Sequence, residues 1–181
     1  MQKNRNSFAA NLIEIFGIVV IGVLGRLIPH VPNVTPFTSI SLFAGARLAR
    51  FQAFLITFIS FFISDVGLSF ISGYPLVGYF SLFTYSGFAI VILIGSKLKD
   101  SKKAFPLYVL GATSVFWIWT NFGSWLTSGL YPKTLAGVGA CYYLALPFLR
   151  NALVGDLIWS SVIFGAFYFL AEKRSKIGVR S

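Results

Sequence analysis

The chain is poor in almost everything that reactive chemistry draws on. It has one cysteine (Cys141), one histidine (His30), one methionine and five acidic residues among 181. A single cysteine excludes an intrachain disulfide and says nothing about redox compartment. One cysteine and one histidine, far apart, do not assemble a resident metal site, so an inert buried thiol is the default for Cys141; its remaining role would be as a soft ligand to a metal carried by a substrate. The sequence has no G-x-x-x-x-G-K-[ST] phosphate loop, no H-E-x-x-H, no G-x-S-x-G and no carboxylates paired at catalytic spacing. It therefore does not hydrolyse ATP by itself, and neither an enzyme nor a cofactor is expected.

What is present in excess is apolar surface. Hydrophobic residues make up 56% of the chain, with twenty Phe, eight Tyr and four Trp. Because a membrane-crossing helix takes about 20 mostly apolar residues, the length supplies roughly six spans and little else. The expected fold is an all-α integral membrane bundle of six transmembrane helices, with residues 1–181 forming one transmembrane domain.

Helix one is expected over about Phe8 to Ile28, stopped by Pro29; its apolar run Leu12 to Leu24 could imitate a signal peptide, but it is long and no small-x-small cleavage site follows, so it reads as a retained helix. The stiff loop His30 to Pro36 leads into helix two, about Phe37 to Ala49. That segment is too short to cross alone unless broken or packed inside the bundle. Helix three covers about Phe51 to Phe70, and helix four about Leu76 to Ser96 after the turn Ser72-Gly73-Tyr74-Pro75. Helix five begins with Pro106 in its first turn and runs to about Leu126. A long connection, Thr127 to Phe148, holds an apolar piece from Ala136 to Leu146 expected as a short interfacial helix, and helix six occupies about Asn151 to Ala171.

Threaded this way, twelve of the fifteen Lys and Arg residues lie on one side: Lys3, Arg5, Arg47, Arg50, Lys97, Lys99, Lys102, Lys103, Lys173, Arg174, Lys176 and Arg180. Arg26, Lys133 and Arg150 lie on the other. By the positive-inside rule both termini are cytoplasmic and the protein is a multi-pass protein of the plasma (inner) membrane. The net charge of +10 then reflects topology and anionic lipid, and no nucleic-acid partner is expected.

Charged and amide side chains inside spans are costly, about 2.5–3.5 kcal/mol for a central charge, and ask for a partner or a purpose. Asp65 and Asp156 fall in the outer third, level with Arg26 and Arg150. The plain reading of Asp65 is a structural pair. Asp156 sits three residues before Trp159 on one helical face, and Arg150 either neutralises it or holds an anionic group. On helix five, Trp117, Asn121 and Trp125 repeat every four residues, and Tyr79 and Phe83 do the same on helix four. Interfacial aromatic belts use the same residues; taken jointly, the stripes outline a pocket between helices four, five and six for a flat, polar small molecule. Asn121 and Asp156 are its expected hydrogen-bonding groups, Trp117, Trp125, Trp159, Tyr79 and Phe83 its walls, and the loops around Asn33, Tyr74 and Lys133 its lid.

Two motif sets add a family resemblance. Phe43-Ala44-Gly45-Ala46 with Arg47, and Ser64-Asp65-Val66-Gly67, resemble helices two and three of the substrate-binding S components of energy-coupling factor (ECF) vitamin transporters. Thr120-Asn121-Phe122-Gly123-Ser124-Trp125, Tyr131 to Gly137, Pro147-Phe148-Leu149-Arg150-Asn151 and Gly155-Asp156-Leu157, with Arg26 to His30 and Pro32-Asn33, are similar to the motif set of an uncharacterised bacterial membrane-protein family grouped with those S components. The resemblance implies capture of a vitamin or precursor from outside, and docking through helix one onto a membrane coupling protein driven by two ATPases. Helix one carries Gly17, Gly22 and Gly25 in place of the usual A-x-x-x-A docking stripe; small residues allow close helix approach, so these glycines, with Arg47 and Arg50, form the expected docking surface. Solitary facilitated uptake, a membrane scaffold and an intramembrane enzyme are the rival classes. The last lacks a visible nucleophile or metal cluster.

Overall fold

A computed structural model describes residues 2–73, 75–98 and 104–178, with side chains described for 15–73, 75–98 and 104–173. Lys99, Lys102, Lys103, Arg180 and the lid residue Tyr74 therefore lie outside the described residues, as do the side chains of Lys3, Arg5, Arg174 and Lys176.

The described chain is all helical, in the order α1 (Gln2–Leu27), α2 (Phe37–Arg47), α3 (Arg50–Ser72), α4 (Tyr79–Gly95), α5 (Phe105–Thr127) and α6 (Leu135–Gly178). Local chemistry sets most of the boundaries. Pro29 follows the end of α1, and Gly73 closes α3 in the left-handed conformation at φ +65° with its N–H donating to the Ser69 carbonyl. Pro106 opens α5, where a missing N–H costs little. In the α1–α2 loop, Val34 N–H donates to the Val31 carbonyl at 3.0 Å across Pro32 and Asn33, and Asn33 has φ +65°. Pro followed by an Asn with positive φ is the chemistry of a type II turn.

Two helices are long and apolar enough to cross a membrane, α3 over Arg50–Ser72 and α6 over Leu135–Lys173; Ile15–Leu27 of α1 and α4 are shorter apolar helices. The outside of the bundle is correspondingly apolar. Phe16, Phe51, Phe70, Leu82, Leu107, Ile158 and Phe169 are all exposed.

α2 is the centre of the structure. Every residue from Phe37 to Ala46 is buried, and the helix packs against each of the other five. Its eleven residues reach only about 16 Å at 1.5 Å per residue, half a bilayer core. It is packed inside the bundle, the second of the two alternatives its length left open. The approach to α4 is at backbone contact: a Cβ on Gly45 would sit 2.1 Å from the Ile92 carbonyl oxygen, and one on Gly95 2.2 Å from that of Leu42. Below α2 the core is aliphatic and aromatic, with Ile40, Leu42, Phe43, Ile56, Val91 and Phe164 in one cluster. Above it Phe37, Phe61 and Phe88 form a second.

Residues 135–178 correct one expectation. The Ala136 to Leu146 piece is no separate interfacial helix, and helix six does not start at Asn151: a single α6 of 44 residues runs through Pro147. Proline removes one helical hydrogen bond, but here the preceding turns are tied laterally to α5. Trp117 donates its indole N–H to the Ala145 carbonyl at 3.2 Å, and Tyr142 its hydroxyl to the Ile118 carbonyl at 2.8 Å. The helix is carried across its breaker by its neighbour.

The backbone contact at Gly45 makes a prediction. Gly45→Ala forces α2 and α4 apart and should cost at least the 1–3 kcal/mol typical of overpacking, read as a lower melting temperature in detergent. Gly111→Ala, whose Cβ would meet nothing within 4 Å, should be neutral or stabilising by up to about 1 kcal/mol.

Candidate functional site

At the end of the bundle that holds the α1–α2 and α5–α6 connections lies a cavity of about 240 Å³ lined by Arg26, Asn33, Thr35, Thr38, Phe61, Thr84, Phe88, Thr113, Phe116, Trp117, Thr120, Asn121 and Ala152. It is somewhat smaller than typical ligand pockets, which run from about 300 Å³ upward. Its walls combine three phenylalanines and a tryptophan with five threonines, two asparagines and one arginine.

Each polar group is held by its own element. Arg26, at the end of α1, donates from Nη1 to Asp65 Oδ1 at 2.5 Å and to Ser64 Oγ at 2.8 Å, while its guanidinium lies 4.0 Å from the Phe61 ring centre. Tyr85 donates to the other Asp65 oxygen at 3.5 Å. This is a buried ion pair, with both side chains mostly shielded from solvent. It agrees with the structural reading of Asp65 and leaves further Arg26 N–H groups as donors for a ligand. On α5 and α4, Thr120 and Thr84 donate back to the Phe116 and Phe80 carbonyls at 2.9 Å and 3.2 Å. A hydroxyl committed in this way still accepts through its oxygen. Asn121 donates Nδ2 to the Trp117 carbonyl at 2.8 Å. Thr84, Thr120 and Asn121 thus keep acceptor oxygens at the cavity, and a ligand bearing N–H or O–H donors on a flat ring would match both them and the aromatic walls.

Of the residues singled out in the sequence, Asn33, Trp117 and Asn121 line this cavity. Asp156 sits one layer behind it: its carboxyl meets Thr113 at 2.7 Å and Ser39 at 3.3 Å and is 3% exposed. The others are elsewhere. Tyr79 is 85% exposed. Phe83 is buried between α4 and α5, packed against Trp119 and Phe122 in the space left by Gly123. Trp125 donates to the Pro132 carbonyl at 3.0 Å, with Lys133 over its ring and bonded to its carbonyl, so both hold the α5–α6 turn together. Trp159 packs on α1 at Gly25. Arg150 is exposed and pairs with neither aspartate. Cys141 is buried against the Asn121 carbonyl at 3.5 Å.

Two features of the expected site are therefore revised. The cavity is not confined to helices four, five and six, since α1, the α1–α2 loop, α2 and α3 all contribute. The glycine face of α1 is not a free docking stripe: Gly22 packs on Phe37 and Ile40, and Gly25 on Pro36 and Trp159, leaving Gly17 alone without a neighbour. Arg47 is half-buried, bonded to the Tyr168 hydroxyl and stacked on Phe167, whereas Arg50 is exposed. Sequence reasoning passed over the threonines, which lack a motif. Their one signal was their number on the faces of α2, α4 and α5 that turn inward.

Among the described residues no three His, Cys, Asp or Glu side chains come together as a metal site. A second cavity, about 270 Å³, lies at the opposite end and is mostly apolar, with Arg47, Ser161 and Tyr168 as its polar groups beside Leu98, Phe105 and Phe164.

Residues 6–177 match a protein family described as "Family of unknown function (DUF6580)", and the chain belongs to that family. No curated protein and no solved structure matches it.

The Arg26–Asp65 pair should behave as a buried ion pair. Asp65→Ala, which strands the guanidinium, should cost about 3–5 kcal/mol, whereas Arg26→Met combined with Asp65→Leu should recover most of it. Thermal unfolding in detergent checks this; a single variant within about 1 kcal/mol of the parent would mean that the pair is solvated.

Proposed function

We propose that this chain is a substrate-capture subunit for uptake of a vitamin or related small molecule, similar in role to the S components of ECF transporters, built as a six-helix bundle in the plasma membrane. The observation that carries the reading is the cavity itself. In a bundle whose outside is apolar, one end holds an aromatic-walled chamber with eight polar side chains from four of the six helices and a loop. Polar groups at such depth are expensive unless they have a use.

Membrane insertion is supported by the two long apolar helices and by the exposed aromatic and aliphatic belt, a surface that a soluble protein of this size does not tolerate. α2 needs no spanning length because its backbone groups are enclosed by the other helices. The charge asymmetry of the loops orients the bundle with both termini cytoplasmic and the cavity toward the outside. The Pro32–Asn33 turn, tied to α6 by Asn151 at 3.3 Å, lies at the cavity mouth as its lid.

With no phosphate-binding loop in the sequence, uphill accumulation draws on a partner such as a coupling protein with two ATPases, or on an ion gradient. The inward packing of Gly22 and Gly25 favours a second reading, solitary facilitated entry, because it removes part of the α1 surface on which such a partner would dock.

Two measurements test the proposal. Native mass spectrometry of the gently purified protein should show a co-purified small molecule, and Asn121→Ala should weaken its binding at least about tenfold, or about 1.4 kcal/mol, while Tyr79→Ala leaves it unchanged. Equal affinity in a well-folded Asn121→Ala variant would remove the cavity from consideration. For orientation, in a Cys141→Ser background, a cysteine at Lys133 should react with an impermeant reagent on intact cells and one at Lys97 should not; the reverse pattern inverts the topology.

A further inference from the structure

Behind the cavity floor lies a polar cluster that the capture reading does not use. Asp156 of α6, Ser39 of α2, Thr113 of α5 and Ser160 of α6 are 3%, 1%, 1% and 0% exposed. Thr113 Oγ1 is 3.0 Å from the Val109 carbonyl and 2.7 Å from Asp156 Oδ2. Ser39 Oγ is 3.1 Å from the Asp156 carbonyl, 3.3 Å from Asp156 Oδ1 and 2.9 Å from Ser160 Oγ.

A hydroxyl has one hydrogen to give. Thr113 therefore cannot fully serve both the Val109 carbonyl and the Asp156 carboxyl, and Ser39, which accepts from Ser160, faces the same conflict between the Asp156 carbonyl and Oδ1. The cluster is short of hydrogens, and a proton on the Asp156 carboxyl supplies the missing donor at the shortest contact, 2.7 Å to Thr113. Charge leads to the same place. An ionised carboxylate so deeply buried costs several kcal/mol unless a cation neutralises it, and among the described residues no packed element brings one. On α1, Arg26 is committed to Asp65 of α3, beside Tyr85 of α4. On α2 the only charge, Arg47, is at the far end against Tyr168 of α6. On α5 the only titratable group, Tyr108, meets the Lys97 carbonyl, and on α6 Arg150 is exposed.

We propose that Asp156 is a proton-binding site: in this structure it is the neutral acid, donating to Thr113, and the proton exchanges through the cavity. Thr38 and Thr113 both line the cavity, and Thr113 touches the Asp156 carboxyl directly, which places the acid one side chain from whatever fills the chamber. When water or a ligand draws the Thr113 hydroxyl toward the cavity, the O–H bond of Asp156 breaks. Its proton passes to cavity water, and the carboxylate left behind keeps the Ser39 hydroxyl as donor. Occupancy of the cavity and protonation of Asp156 are then linked, each biasing the other by the same free energy. This would give the bundle an ion-gradient input of its own. The exchange route rests on the capture reading of the cavity; the bound proton does not.

The test reads the proton directly and needs no substrate. The infrared spectrum of the full chain in lipid at neutral pH should contain the carbonyl stretch of a protonated carboxyl that Asp156→Asn removes, Asp65→Asn leaves in place and Thr113→Val shifts. Should Asp156→Asn fail to fold, labelling at the aspartate carboxyl carbon takes its place: one of the three aspartates should resonate as a neutral acid that Thr113→Val shifts and Asp65→Asn leaves in place. Absence of any protonated-carboxyl signal overturns the assignment. So does thermal stabilisation by sodium chloride over choline chloride that depends on Asp156, which would make the cluster a sodium site.

Discussion

The contact between the backbones of α2 and α4 is the constraint on which the remaining structure depends. Gly45 and Gly95 each lie against a carbonyl of the opposite helix, a proximity no residue with a Cβ permits. The contact pulls an eleven-residue helix into the middle of the bundle, where all its neighbours bury it. Once α2 is central, its first turns must deliver side chains to whatever lies above. Phe37 enters the aromatic cluster with Phe61 and Phe88, Thr38 faces the cavity and Ser39 reaches Asp156. The polar end of the molecule is thus built on a helix too short to have crossed a bilayer unaided.

Burial also explains how polar residues are organised. In an apolar bundle each hydroxyl, amide and charge needs a partner from the chain itself. Ser41 and Ser60 turn back onto their own helices at 2.7 Å and 2.6 Å, and Arg26 finds Asp65. At the cavity Thr84, Thr120 and Asn121 satisfy their own helices in the same way and still keep acceptor oxygens.

Much of the fold was legible because it follows from length and punctuation. Pro29, Gly73 and Pro106 mark helix boundaries in the sequence as they do in the structure, and the shortness of helix two left enclosure as one of two alternatives. α6 was misjudged because Pro147 reads as a breaker, and nothing in the local sequence reveals that Trp117 and Tyr142 brace the turns before it. The site was legible only in part. Four-residue spacing placed Trp117 and Asn121 on one face, but the same periodicity continued to Trp125, which the turn at Pro132 takes for itself. Tyr79 and Phe83 share a spacing as well, yet one faces outward and the other fills the space at Gly123. Helical periodicity gives a face; it does not say which neighbour that face meets. The threonines were invisible for the opposite reason, since each is unremarkable alone and they acquire meaning only when α2, α4 and α5 bring them round one space.

Capture of a solute requires this space to be a binding chamber and not a packing void. A structure determined after purification in native lipid, with no added ligand, bears on it most directly. Density is expected for a discrete small molecule flanked by Phe88, Phe116 and Trp117 and within hydrogen-bond reach of Asn121 or Thr120. A chamber that has collapsed, or that holds only a lipid chain entering from the side, would contradict it.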